Sequence, residues 1–173
     1  AELETRLKSV PDGCGALVVV DGVFSLGGDF AKLPEICRLA HQYGAAVMVD
    51  DAHGLGVVGP EGRGTAHHFG LASEVDILMG TFSKSLASLG GYVAASRTVI
   101  DYLRHASAPF IFSASIPPAS AAVALAALRH LRRNPELPRH LREVAGYARA
   151  AFSQRGIPLR AGAENNIAPI LPI

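Results

Sequence analysis

The sequence predicts an α/β fold built on a mostly parallel sheet, and three observations carry that prediction. Four short apolar runs rich in Val and Ile are bounded by Gly, Asp or Ser. Within those runs there is no polar alternation, which suits strands buried on both faces. An amphipathic helical stretch joins the first two, giving the strand, helix, strand order of parallel sheets.

The strands are expected at "ALVVV" (16–20), "AAVMVD" (45–50), "VDILMG" (75–80) and "YVAAS" (92–96). Between the first two, "DFAKLPEICRLAHQYG" puts Leu33, Ile36, Cys37, Ala40 and Tyr43 on one helical face, and Gly44 stops the helix. After the fourth run come a short helix, "RTVIDYLRHA", and an apolar segment, "PFIFSASIPP", closed by two prolines. Residues 119–132, rich in alanine and leucine, predict a further helix. "NPELP" breaks it, and "RHLREVAGYARAAFSQRG" predicts another amphipathic helix. The last six residues look like a strand cut short. The composition shift near Asn134 marks the expected domain boundary, with 1–133 in a large domain and 134–173 opening a smaller one.

Bulk composition narrows the function classes. With 173 residues, 49% hydrophobic and 18% charged, the chain can bury a sizeable core and is too apolar for disorder. Sixteen basic residues against 15 acidic ones give a net charge of +1, with no basic stripe to suggest a nucleic-acid partner. No apolar window approaches the roughly 18 residues of a spanning helix, and the start lacks the order of a signal peptide, so a cytoplasmic location is expected. Cys14 and Cys37 lack metal-type spacing and are read as filler. "GPEGRG" (59–64) lacks the Gly-Lys-Ser/Thr ending of a phosphate loop and is read as a turn. His67 and His68 have no further ligand at metal spacing, and no metal is expected.

Three stretches carry candidate chemistry. In "VMVDDAHGLG", Asp50 and Asp51 follow a strand and His53 comes three residues after Asp50. Carboxyl ends of parallel strands are where open α/β sheets meet ligands. A buried carboxylate there needs a partner, and a protonated ring nitrogen would serve; alternatively one Asp caps the next segment and the other is solvated. In "GTFSKSLASLGG", Lys84 leaves the next strand among Thr81, Ser83 and Ser85, whose hydroxyls and backbone donors suit a phosphate. A lysine amine in an apolar pocket is a nucleophile towards carbonyls. Together, an amine for an aldehyde, a carboxylate for a ring nitrogen and donors for a phosphate match pyridoxal 5'-phosphate. In "DGVFSLGGD" (21–29), the Ser25 hydroxyl sits in a glycine-flanked turn on the same rim, or in a plain loop.

"DGVFSLGGDFAKLPEI", "VMVDDAHGLGVVGPEGRG", "GTFSKSLASLGGY" and "FIFSASIPP", in this order and spacing, resemble the α-oxoamine synthases, pyridoxal-phosphate enzymes of the fold-type I, aspartate aminotransferase architecture. The third motif is most similar to bacterial serine palmitoyltransferase-type sequences. The resemblance implies that Lys84 forms the Schiff base with the cofactor and later serves as acid and base, and that Asp50 pairs with the ring nitrogen. It further implies that His53 and Ser25 bond near the phenolic oxygen, and that Thr81, with Ser83, holds the phosphate. Ser113 matches a position that reaches the phosphate from a neighbouring subunit, implying a homodimer with shared active sites, although Ser115 offers the same chemistry. The implied reaction condenses glycine, alanine or serine with an acyl-CoA or acyl-ACP thioester, usually with loss of carbon dioxide. Other readings are another fold-type I enzyme, an aminotransferase or lyase, or a non-catalytic partner subunit. The family's glycine-rich loop and ring-stacking histidine would lie upstream, and its carboxylate-binding arginine downstream. The chain is therefore expected to be part of a protein of about twice its length, not self-sufficient in activity.

Overall fold

The computed structural model describes residues 2–157 and 159. Helix α1 (Glu2–Lys8) precedes strand β1 (Leu17–Asp21), followed by α2 (Leu33–Gln42) and β2 (Ala46–Asp50). A 3-10 turn (Pro60–Gly62) and the four-residue helix α3 (Thr65–His68) lead into β3 (Ile77–Thr81), and β4 (Gly91–Ala95) completes the sheet. Helices α4 (Arg97–Ala106), α5 (Ala108–Ile111), α6 (Pro118–Arg133) and α7 (Leu137–Gln154) follow. The expected strands and helices thus appear within a residue or two of their predicted positions. Helix α1, which the sequence reading did not anticipate, sets its basic last turn on its acidic first turn through Lys8–Glu4 and Arg6–Glu2 pairs. The C-terminal strand expected over the last six residues lies outside the described residues.

The sheet order is β1-β2-β3-β4. The first three strands run parallel, with Asp21 beside Asp50 and Asp50 beside Met79. Strand β4 runs antiparallel to β3. Chain length dictates this, because a parallel return needs a crossover of roughly a dozen residues or more and only residues 82–90 separate the two strands. Asp76 starts the β2–β3 pairing by accepting the Val47 N–H at 2.8 Å.

Helix α2 packs as its pattern predicts. Leu33, Cys37 and Ala40 are buried against Val47 and Val49, joined by Leu7, Ala45 and Ala66, with Val18, Val20 and Leu78 packed alongside. The helix then gives way at Gly44, which takes φ +66°, a conformation glycine adopts without steric cost. The expectation of strands buried on both faces is only half met among the described residues. Side chains alternate, so Val18, Val20, Val47 and Val49 face the α2 core while Leu17, Val19 and Val93 face away. Val19 is 59% exposed, because α1 and α2 pack against the core on the opposite face. Towards β4, helices α4 and α5 cover part of the outer face, leaving a cavity of about 540 Å³ between Met79, Val93, Ile100, Leu103 and Phe110.

Helix α6 ends at Arg133 and α7 begins four residues later, so the chain breaks where "NPELP" predicts. Arg142 of α7 donates to the Val57 carbonyl at 3.1 Å, tying this helix to the loop after β2. No helix among the described residues is long and apolar enough to cross a membrane.

Leu33 is fully buried, so Leu33→Ala is expected to cost about 3 kcal/mol through lost transfer energy and a residual cavity. Leu26→Ala, at an exposed loop position, should change stability by less than about 0.5 kcal/mol. Urea unfolding of the two variants against wild type checks the contrast.

Candidate active site

The carboxyl ends of β1, β2 and β3 are brought to one edge by the parallel register, which places Asp21, Asp50 and Thr81 at successive strand ends. Two loops then bring side chains together there. After β2, Asp51 Nα donates to Met79 at 2.9 Å, and its own carbonyl accepts from Gly54 and Leu55 at 3.0 Å. That turn carries His53 outward. After β3, residues 82–90 fold back as a tight connection: Phe82 N–H bonds Gly90, Ser88 N–H bonds Phe82, and Ala87 N–H closes a turn onto Lys84. Leu86 is buried beneath this tip, and the Ser88 hydroxyl donates to the Ser120 carbonyl of α6 at 2.6 Å. With one side anchored, Lys84 projects from the other.

The two loops meet where Lys84 Nζ lies 2.8 Å from His53 Nε2. An ammonium only donates, so charged Lys84 requires Nε2 to be the unprotonated acceptor and the ring proton to sit on Nδ1. Burial pushes the His53 pKa below the ordinary histidine value and the neighbouring Lys84 charge lowers it further, while Asp21 and Asp50 oppose the shift. Two residues 31 positions apart in the chain are thereby joined. The expected apolar pocket around the lysine is not formed by the described residues: Lys84 is exposed.

Asp50 is half-buried, and its Oδ1 accepts the Ala52 N–H at 3.0 Å. The buried member of the acidic pair is Asp51, whose partner is no cation. Its Oδ2 accepts the Thr65 N–H at 2.8 Å and its Oδ1 the Thr65 hydroxyl at 2.6 Å. Asp51 thus holds the entry to α3, 14 residues further on, while Asp50 caps the Ala52 N–H at the rim.

Thr81 accepts the Ser83 N–H at 3.1 Å, and its hydroxyl donates to the Gly90 carbonyl at 3.1 Å. The Ser83 hydroxyl, 2.8 Å away, therefore donates to Thr81. These two hydroxyls form a small polar cluster just before Lys84. Ser25 lies exposed in the 24–29 loop, closed by Phe24 N–H to Asp29 and Gly28 N–H to Phe24. Ser113, just after α5, is also exposed beside the projecting Phe112. Neither serine is hydrogen-bonded to the Lys84–His53 pair among the described contacts.

Two features escaped the sequence reading. Asp21 stands beside Asp50 in register and acts on His53; an Asp ending the apolar run "LVVVD" was its available signal. Ala87 adopts φ +49° at the turn after Lys84. A left-handed alanine costs roughly 1–2 kcal/mol, and nothing in residue type marks it. Away from the site, His68 stacks on Phe30 with centroids 4.8 Å apart, and burial, aided by Arg142, lowers its pKa.

The aminotransferase class I and II family model matches residues 1–170. The chain belongs to that family. It is 50% identical over 173 residues to a serine palmitoyltransferase of Bacteroides thetaiotaomicron, covering all of this chain and 43% of the relative. It is 44% identical over 170 residues to an 8-amino-7-oxononanoate synthase of Thermosipho melanesiensis, covering 98% of this chain and 43% of that one. Among solved structures, Sphingomonas wittichii serine palmitoyltransferase superposes with a TM-score of 0.87 at 34% identity, over 96% of this chain and 41% of that chain. The S. paucimobilis enzyme with a bound PLP–myriocin aldimine superposes at 0.85 and 37% identity, over 91% and 39%. The fold-type I architecture of these neighbours is the fold of this chain, which spans less than half the length of the relatives it matches.

The depressed His53 pKa means that, below the ordinary value of about 6.5, the unfolded chain takes up a proton that folded His53 refuses. Its contribution to stability is therefore complete above that value and declines as pH falls towards the folded pKa. Replacing Lys84 with Gln removes the repelling charge and should raise the His53 midpoint, read by NMR titration of labelled histidine. Ala87→Gly should be neutral to about 1 kcal/mol stabilising, since relieved strain is partly offset by glycine's entropy, whereas Ala87→Val should destabilise by more than about 1 kcal/mol. Thermal unfolding of both variants tests this.

Proposed function

We propose that the full-length protein is a pyridoxal-phosphate-dependent acyltransferase that joins a small amino acid, glycine, alanine or serine, to an acyl-CoA or acyl-ACP thioester, usually with release of carbon dioxide. The observation that carries the reading is the Lys84–His53 contact at the carboxyl edge of a parallel sheet, with Asp50 at the adjoining strand end. The donor set fits the cofactor: an exposed primary amine, a carboxylate at the rim and two clustered hydroxyls. When bound, pyridoxal phosphate supplies an aldehyde and an electron-withdrawing ring.

The residues have distinct parts in this proposal. Lys84 presents its amine outward from an anchored turn, available to a carbonyl and afterwards to a proton at the substrate α-carbon. His53, kept neutral, accepts from the Lys84 amine and holds its direction. Asp50 has one oxygen fixed by Ala52 and offers negative charge to a protonated ring nitrogen. Thr81 and Ser83 lie before Lys84, and their hydroxyls, which donate to Gly90 and Thr81 in the cofactor-free fold, would turn to a phosphate; Ser25 serves the ring from the β1 rim, and Ser113 the phosphate of a partner subunit in a homodimer. The division between the large and small domains is placed at Asn134. A cytoplasmic location follows from the same reading, and the names of the relatives support the amino-acid and thioester classes.

The test uses the full-length protein reconstituted with pyridoxal phosphate. Borohydride reduction should fix the cofactor covalently at Lys84, detected by peptide mass, and Lys84→Ala should lose both the link and turnover. Glycine, alanine and serine are then added in turn with an acyl-CoA, following the visible spectrum and thiol release. Amino-group exchange without thiol release would instead indicate an aminotransferase. A wild-type spectrum that responds to none of the three, with no thiol released, overturns the proposal.

A further inference from the structure

Asp51 takes no part in the chemistry just proposed, yet with Thr65 it is one of the two buried polar residues among those described. Its side chain is 1% exposed, and both oxygens bond to the same residue, Thr65. Its peptide nitrogen is bound to Met79 and its carbonyl to Gly54 and Leu55. Three glycines press on the carboxylate. A Cβ on Gly54 or Gly64 would overlap its oxygens, and one on Gly22 would come within 2.7 Å of Oδ1. Three separate segments, the exit of β1, the turn after β2 and the entry to α3, thus converge on one buried carboxyl group, whose pKa burial raises.

A packing role alone does not explain a carboxylate here. Burying a charge is costly, and an apolar residue of similar volume commonly fills such a site without loss of stability. A carboxylate adds direction: two acceptors that engage the N–H and O–H of one threonine fix the torsions of the side chain and of the backbone on either side. Consecutive residues leaving a strand point to opposite faces, so holding Asp51 inward turns Asp50 outward to the rim. His53 follows two residues later in the same turn.

We infer that Asp51 is a positioning residue: clamped on Thr65, it sets the path of residues 50–54 so that Asp50 meets the ligand edge and His53 reaches Lys84. This rests on the proposed role of Asp50, His53 and Lys84 as the cofactor edge.

The experiment is designed to separate the two. In the cofactor-free full-length protein, the His53 titration midpoint is read by NMR of labelled histidine, assigned with His53→Gln. His53 faces Lys84, Asp21 and Asp50. Pyridoxal phosphate affinity is measured separately by titration. Asp51→Ala should raise the midpoint towards the ordinary histidine value by freeing His53 from burial and from Lys84, and should weaken cofactor affinity at least tenfold. Loss of the negative charge alone would move the midpoint the other way. Asp51→Asn can still accept from the Thr65 N–H and donate to its hydroxyl oxygen, so it should keep the wild-type midpoint and an affinity within about threefold. Thr65→Val, which removes one of the two bonds, should move the midpoint upward by less than Asp51→Ala does. It decides the matter if Asp51→Ala fails to fold. A midpoint unchanged or lowered in both Asp51→Ala and Thr65→Val, or an Asn variant no better than Ala, overturns the inference. Wild-type protein that binds no pyridoxal phosphate overturns the proposed function instead, and the His53 titration still decides the role of Asp51.

Discussion

Everything at the candidate site depends on the parallel register of three strands. Pairing Asp21 with Asp50, and Asp50 with Met79, makes β1 and β2 end at one level, with β3 running two residues further to Thr81. Side chains leaving those ends therefore start from neighbouring positions, and short loops suffice to join them. A slip of one residue in β2 would turn Asp50 into the α2 core and bring Val49 to the rim, exchanging the ionisable residue for an apolar one. The hydrophobic contrast between those faces, with Val47 and Val49 buried against Leu33, Cys37 and Ala40, holds the register in place.

The site is also tied to helices outside the sheet. Ser88 bonds Ser120 at the start of α6, and Arg142 of α7 bonds Val57 in the loop that carries His53. Pro138 packs at Gly62 in the same loop. The loop that carries Lys84 is thus fastened to α6, and the loop that carries His53 lies against both α6 and α7.

Much of this was legible in the residues. Uninterrupted Val and Ile runs, the helical face from Leu33 to Ala40 and the glycine after it have local causes, so their positions could be read directly. The joining of Lys84 to His53 could also be anticipated, because both follow strands of one sheet. The assignment of the two acids could not be settled. Asp50 and Asp51 are identical in type and adjacent, and what separates them is Thr65, brought in by the fold from 14 residues away. The exposure of Lys84 and of the outer sheet face was likewise hidden, because burial is a property of what lies opposite. Ala87 left no trace at all, since its left-handed backbone is imposed by the turn and not by its side chain. Strand β4 was found from composition, whereas its direction followed only from the brevity of the link before it.

That reversal of β4 bears on the order in which the molecule assembles. Pairing of β3 with β4 closes a loop of only nine residues, between Thr81 and Gly91, whereas β1 meets β2 and β2 meets β3 across much longer separations. Closing a short loop costs less chain entropy and proceeds faster. The turn that carries Lys84 is therefore a local structure, able to form while the parallel part of the sheet is still incomplete. His53, by contrast, is placed by the long-range pairings of β1, β2 and β3.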